Sequence, residues 1–363
     1  MTKEKFTIVS GKTDAGIPIF SVLLKRTYDI QWNDNATRAA ETKPILSMDV
    51  YFDQGDPEWS TVQFENDLAP YKVETDVVLI AKAQAPGDKP VESMSIGVEI
   101  GGKQKVIRVT GDRSCRYRKN APPVFTDPVP FTDMEIRYEK AYGGTDSKSV
   151  PGFEFSYPRN HMGVGMALKN LPESVEQLPL PNLEDPADLL TPERVVLGEP
   201  EQWNRQPLPQ GLGWFQRTWY PRCSFVGAVP GFVDPDEEMR EELLGLVPRH
   251  QIALARQFKL PSFDARFNNG ASLGLRFPYL EGNEQIRLAN LTQGGGVVAF
   301  RLPGEKPRLM LDIGLGQNEL EVVLHTVCVR VEDRQVDLLW RGAHEYPGTD
   351  WLPEMKRMVA EVA

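Results

Sequence analysis

Gly270-Ala-Ser-Leu-Gly274 has the spacing of a nucleophile elbow, in which a serine stands on a strained turn and attacks through its hydroxyl. Such a turn needs a strand before it and a helix after it. FDARFNN precedes the motif and LRFPYLEG follows it, and Pro278 with Gly282 oppose a helix there. His325 and His344 lie downstream with acids between, so Ser272 could be placed in a serine–acid–histidine order. The local context favours an ordinary loop. Glu139 and Asp146, in the octapeptide EKAYGGTD, form a second candidate pair, one carboxyl as acid and the other as base on a glycosidic bond. The structural alternative is a turn in which Gly143-Gly144 supplies positive φ and Asp146 closes an Asx hydrogen bond. Glu139, Asp146 and His161 can also be drawn as three metal ligands. The four histidines show no H-E-x-x-H spacing and no close pairing, so no metal is expected. GGTDSKS lacks the glycine that a Walker loop places directly before its lysine, and no nucleotide or other cofactor is expected either.

A third group of residues is suited to contact rather than reaction. Tyr157-Pro-Arg159-Asn160, Trp214, Arg217-Thr-Trp219-Tyr220-Pro-Arg222 and Trp340-Arg341 combine the residue types that dominate binding hot spots. With Tyr142 and Asp146 of the octapeptide, the candidate binding residues are Arg159, Asn160, Trp214, Arg217, Trp219 and Arg222. The same residues could instead lock a loop onto the sheets by cation–π stacking. Trp203, Trp214 and Trp219 could also form a sugar-binding platform, provided their indoles are exposed and coplanar.

The elements that must position these residues are mostly strands. Ile17–Tyr28, Lys72–Ala83 and Met134–Tyr138 read as strands, the last with Met134, Ile136 and Tyr138 on one face. Val91–Ile100 and Lys103–Val109 read as a hairpin across Gly101-Gly102. Gln285–Ala289 and Val297–Leu302 flank a glycine turn, and Arg308–Ile313 is a further strand. Glu321–Val331 and Gln335–Arg341 form the clearest hairpin, with Val323, His325, Val327, Val329 and Val331 on one face and His325 a satisfied core residue. Prolines recur every few residues between about 143 and 234, yet the aromatic content there is too high for a solvated linker. That segment reads as a long ordered excursion packed by its own side chains. Helices are expected over 234–246, where Asp234-Pro-Asp-Glu-Glu has an N-cap and an acidic first turn, over 250–258, and from Leu352. The expected fold is mainly β: antiparallel, sandwich-like sheets built from both chain ends, the excursion, and a few short helices, forming one unit over residues 1–363.

The chain of 363 residues carries a net charge of −10, which weakens nucleic-acid and anionic-membrane readings. It shows no leader sequence and no apolar run long enough for a membrane span, so a cytoplasmic location is expected. Cys115, Cys223 and Cys328 are odd in number and far apart, which suits buried reduced thiols.

Six blocks occur in order: EKAYGGTD, YPRNHMGVGM, LPLPNLEDP, LPQGLGWFQRTWYPR, NLTQGGGVVAFRLPG and VCVRVEDRQVDLLWRG. Over roughly Ile19 to Gly342 the chain resembles a bacterial family encoded beside type VI secretion spike and effector genes. The resemblance implies an effector adaptor or chaperone. Such a protein helps load a toxin, often with a PAAR-type tip domain, onto the VgrG spike, and it needs no catalytic residue. After Arg266-Phe-Asn this chain departs from the family pattern with NNGASLGLRFPYLEGNE, which is where G-x-S-x-G arises. The alternative function is a hydrolase of sugar or ester bonds using Glu139 with Asp146, or Ser272.

Overall fold

The computed structural model describes residues 4–118, 121–150, 153–168, 174–197, 200–226, 264–312, 317–346 and 359–362. The helices expected over 234–246, over 250–258 and from Leu352 lie outside the described residues. Besides the two-residue strand Thr37–Arg38, which pairs with the end of Pro18–Asp29, eleven strands build the two main sheets: β1 (Lys5–Lys12), β2 (Pro18–Asp29), β3 (Thr75–Ile80), β4 (Ser93–Ile100), β5 (Lys103–Thr110), β6 (Leu183–Glu184), β7 (Arg276–Phe277), β8 (Gln285–Ala289), β9 (Val297–Arg301), β10 (Val322–Arg330) and β11 (Gln335–Glu345). The first sheet runs β1-β2-β11-β10-β3-β7, and the second β6-β5-β4-β8-β9. The fold is mainly β, as expected, and the helical turns among the described residues are short 3-10 segments.

The chain ends meet at the centre of the first sheet. β2 pairs antiparallel with β11 from Ile19 opposite Glu345 to Asp29 opposite Gln335. β10 and β3 run parallel, an exception to the otherwise antiparallel pattern of this sheet. Register sets the two faces of the sheet. Leu24 and Leu324 both lie opposite Trp340, and Val327 lies opposite Leu338. These side chains join Ile96, Val98, Ile107, Ile286 and Phe300 of the second sheet in one buried cluster. The Gly101-Gly102 turn holds both residues at positive φ, 56° and 79°, which a two-residue hairpin requires and glycine adopts without a Cβ clash.

The other face of the first sheet is polar and yet buried. Lys25, Thr27, Arg330 and Asp337 are each no more than 6% exposed. Thr27 Oγ1 donates to Asp337 at 2.6 Å, and Arg330 Nε donates to the same carboxylate at 3.2 Å. Residues 39–72 cover this face as a strap. Lys25 pairs with Asp67 at 2.8 Å, Ser21 Oγ donates to Pro70 O at 2.6 Å, and the Lys43 amide donates to Thr27 Oγ1 at 2.9 Å. Burying these groups costs little because each finds a partner, Lys25 and Thr27 in the strap and Arg330 and Asp337 on the sheet itself.

Two local expectations change. The register of β10 against β11 slips between Leu324 and Thr326, so His325 is the extra residue of a bulge. The bulge moves Val323 off the face that carries Val327, Val329 and Val331. His325 is fully buried, and neither ring nitrogen has a hydrogen-bond partner among the described residues. Burial, with Lys72 and Arg341 nearby, holds the imidazole well below its ordinary pKa and therefore neutral. Of Met134–Tyr138, only the start is strand (Asp133–Glu135), and Tyr138 opens a 3-10 turn. Met134, Ile136 and Tyr138 are buried all the same.

The excursion has a core of its own. Tyr142, Tyr157, Met166, Leu180, Leu190, Trp203 and Tyr220 form a second buried cluster, separate from the main one. Most of its strands come in short pairs, as the spacing of its prolines requires, while Ser174–Pro179 and β6 pair with strands from earlier in the chain.

Candidate functional site: an aromatic groove on a buried ionic base

EKAYGGTD is not a tight turn. Tyr142-Gly143 pairs in parallel with Val164-Gly165, and Thr145 begins a strand in which Asp146 lies opposite Phe155. The glycines are needed for close approach. A Cβ on Gly143 would stand 2.0 Å from the carbonyl oxygen of Asn160. Asn160, fully buried, donates from Nδ2 to Tyr138 O at 2.8 Å and Tyr142 O at 3.2 Å. The Gly144 amide donates back to Asn160 O at 2.9 Å. The octapeptide and the YPRNH block are thus joined, and the Tyr220 amide adds the third block by donating to Pro158 O at 2.8 Å.

Beneath this junction lies a buried ionic base. Glu65 accepts from Arg222 at 2.8 Å and from Arg217 at 2.9 Å, and Arg217 also holds Asp49 at 2.9 Å. Arg222 is 1% exposed and donates to Phe215 O and Phe267 O besides, at 2.7 and 2.8 Å. Next to it Lys72 pairs with Asp76 at 2.7 Å, donates to Thr326 Oγ1 at 3.0 Å, and stands over the Trp214 ring at 5.1 Å. Burial raises the Asp76 carboxyl, but Lys72, Arg276 and the Gly270 amide outweigh it and leave the pKa below its ordinary value. Together these bonds tie the strap, β3 and the excursion.

Above the base opens a groove of about 510 Å³, walled by Tyr51, Trp59, Tyr157, His161, Trp219 and Tyr220. Trp219 donates its indole N–H to His161 Nδ1 at 3.0 Å, and His161 Nε2 lies 2.8 Å from Glu58 O. Trp219 can only donate, so Nδ1 accepts in this bond and Nε2 faces the Glu58 carbonyl. Trp59 packs on His161 with centroids 5.1 Å apart and planes at 68°, and His161 meets Trp219 at 6.1 Å and 75°. The Cys223 thiol also lines the groove. Burial pushes it up to about 11, so it is protonated at neutral pH and a weak nucleophile.

The sequence-derived candidates distribute unevenly over this site. Trp219 lines the groove. Tyr142, Arg159, Asn160, Trp214 and Arg222 are buried beneath or beside it, and Arg217 is partly exposed in the ionic base. Arg159 stacks on Trp203 at 4.8 Å. Trp203, Trp214 and Trp219 are buried at 4%, 5% and 2% exposure, so they form no exposed sugar platform. Glu139 accepts from the Thr61 amide at 2.9 Å and from the Thr61 hydroxyl, an anchor for the strap, while Asp146 lies in its strand opposite Phe155. Ser272 is 1% exposed, donates to Gly211 O at 2.7 Å and accepts from Lys105 Nζ at 2.7 Å. No group of three His, Cys, Asp or Glu side chains suited to a metal occurs among the described residues. Sequence reading missed Tyr51, Glu58 and Trp59. The signal was available in GDPEW, a tryptophan among acids and turn residues.

The fold and groove describe a mainly β protein with an ordered, aromatic-walled groove. The chain belongs to the bacterial family described as "Uncharacterized protein conserved in bacteria (DUF2169)", which it matches over residues 15–341. No curated protein and no solved structure matches it.

Proposed function

We propose that this protein is a non-enzymatic, cytoplasmic adaptor or chaperone that binds a secreted toxin effector and aids its loading onto a type VI secretion spike. One observation carries the reading. Blocks that bear the resemblance to effector adaptors, YPRNH and WFQRTWYPR, come together as the walls of one open groove. An aromatic groove on a rigid base suits a peptide segment of a partner, because little side-chain entropy is lost when it fills. The net charge of −10 suits a client with basic patches. No helix among the described residues is long and apolar enough to cross a membrane. The test is co-purification from cells that express the chain with its genomic neighbours. Near-stoichiometric recovery of a toxin or spike protein supports the adaptor. A chain that purifies alone, while its neighbours stay soluble without it, overturns it.

A further inference from the structure

We propose that the groove is a cation-accepting aromatic cage that takes an arginine or lysine side chain from an extended segment of a partner polypeptide. The inference rests on the adaptor reading only in taking the partner to be a polypeptide. Three features carry it.

The first is the arrangement of the walls. Trp59 and His161 meet at a steep interplanar angle, 68°, so a ring face and a ring edge form a corner at the mouth rather than a flat platform, and the buried Trp219, 2% exposed, backs that corner through its bond to His161. Cations are attracted to ring faces within about 6 Å, and several rings around one charge add their quadrupoles. Trp59 is 44% exposed and is the one exposed tryptophan among the described residues. An indole left in water at the mouth of a concave site is available to a ligand.

The second is charge. The lining contains one carboxylate, Glu58, and no lysine or arginine. Asp53 and Asp56 sit in the same exposed loop as Glu58, and none of the three carboxylates takes part in an ion pair among the described residues. Three arginines adjoin lining residues in sequence: Arg217 and Arg222 are committed to Asp49 and Glu65, and Arg159 is buried over the Trp203 ring behind Tyr157, away from the rim. The rim is therefore negative and uncompensated, which complements a cation and repels a carboxylate.

The third is the way His161 is held. Trp219 can only donate, so the bond fixes Nδ1 as its acceptor and sets the ring at a steep angle to Trp59. The ionic base below fixes the walls. Glu65 and Arg222 hold the segment that carries Trp219, and the Thr61–Glu139 bonds hold the strap that carries Trp59.

The test is calorimetric titration of the full chain with five pentapeptides of one apolar frame, differing only in a central Arg, Lys, trimethyl-Lys, Gln or Glu. The Arg, Lys and trimethyl-Lys peptides are expected to bind about tenfold or more tighter than the Gln peptide, with the Glu peptide weakest. Trp59→Ala, an exposed change that leaves the fold in place, is expected to weaken the three cationic peptides by about tenfold. Glu58→Gln is expected to weaken them by about threefold and to leave the Gln peptide unchanged. Equal affinity for the Arg and Gln peptides overturns the proposal, as does insensitivity to Trp59→Ala or no binding by any peptide. Co-purification of an effector that survives Trp59→Ala would sink the cage and leave the adaptor standing. Cation-selective peptide binding by a chain that captures no neighbour would do the reverse.

Discussion

Trp219 and His161 are joined by a single N–H···N bond of 3.0 Å, and that bond sets the orientation of the groove wall. Trp219 is held from behind by Tyr138 and Phe215, whose rings meet it nearly perpendicularly at 5.0 and 5.1 Å. Trp219→Phe keeps most of the apolar contact and removes the donor. It is expected to lower the unfolding free energy by about 1–2 kcal/mol, the range for a lost hydrogen bond with some lost packing, measured by urea denaturation. A change below a few tenths would mean that the bond does not hold the wall.

The Lys72–Asp76 pair is the most deeply buried ion pair of the base, with side chains 4% and 0% exposed. Removing one partner leaves the other charged and dry. Asp76→Ala and Lys72→Ala are each expected to destabilise by about 3–5 kcal/mol, and the double variant by much less than their sum. A double-mutant cycle in urea measures the coupling. Simple additivity would show that the two residues act separately.

Lys105 gives a pH signature. Burial pulls its ammonium down to about 7, against the partial opposition of Asp185. In the unfolded chain lysine titrates near 10.4. Between about pH 7 and pH 10 the unfolded state therefore binds more protons, and this group makes stability rise with pH by up to about 1.4 kcal/mol per unit. Below about pH 7 both states are protonated and the contribution is flat at its least favourable value. Lys105→Met removes the titration. The stability of the natural protein minus that of the variant is expected to climb from about pH 7 to pH 9, and parallel curves would refute the assignment.

Gly143 and Gly213 test close approach against mere chain freedom. A Cβ at 143 meets the Asn160 carbonyl oxygen at 2.0 Å, whereas at 213 nothing lies within 4 Å. Gly143→Ala is expected to cost about 3 kcal/mol or more, or to prevent folding. Gly213→Ala should stay within about 1 kcal/mol of the natural protein. Thermal unfolding of the two variants side by side gives the comparison.

Much of the β framework could be read locally. The hairpin β4–β5, the pair β8–β9 and the long β10–β11 hairpin announce themselves by apolar runs and glycine or polar turns, because strand alternation and turn chemistry are short-range effects. The aromatic content of the excursion likewise implied an internal core, and one is present. The bulge at His325 was hidden, because an extra residue shows only when a strand is laid against its partner.

The candidate site was legible in type and not in place. The aromatic and arginine residues stood out, but which would be buried and which would line a surface depended on contacts across long stretches of chain. Arg222 is buried because Glu65, 157 residues away, can satisfy it, and Asp76 because Lys72 and the backbone of 270–271 converge on it. Trp59 joins the groove through His161, whose ring reaches back 103 residues to Glu58.

Composition, alternation and turn residues determined by themselves that this chain would be a β-rich protein with an ordered, proline-punctuated middle. Each of those follows from the preferences of neighbouring residues. Tertiary structure alone decided that the polar face of the first sheet would be covered by residues 39–72, and that aromatic residues from distant segments would enclose one groove. The free energy of burying a charge or exposing an indole depends on partners that sequence distance does not specify.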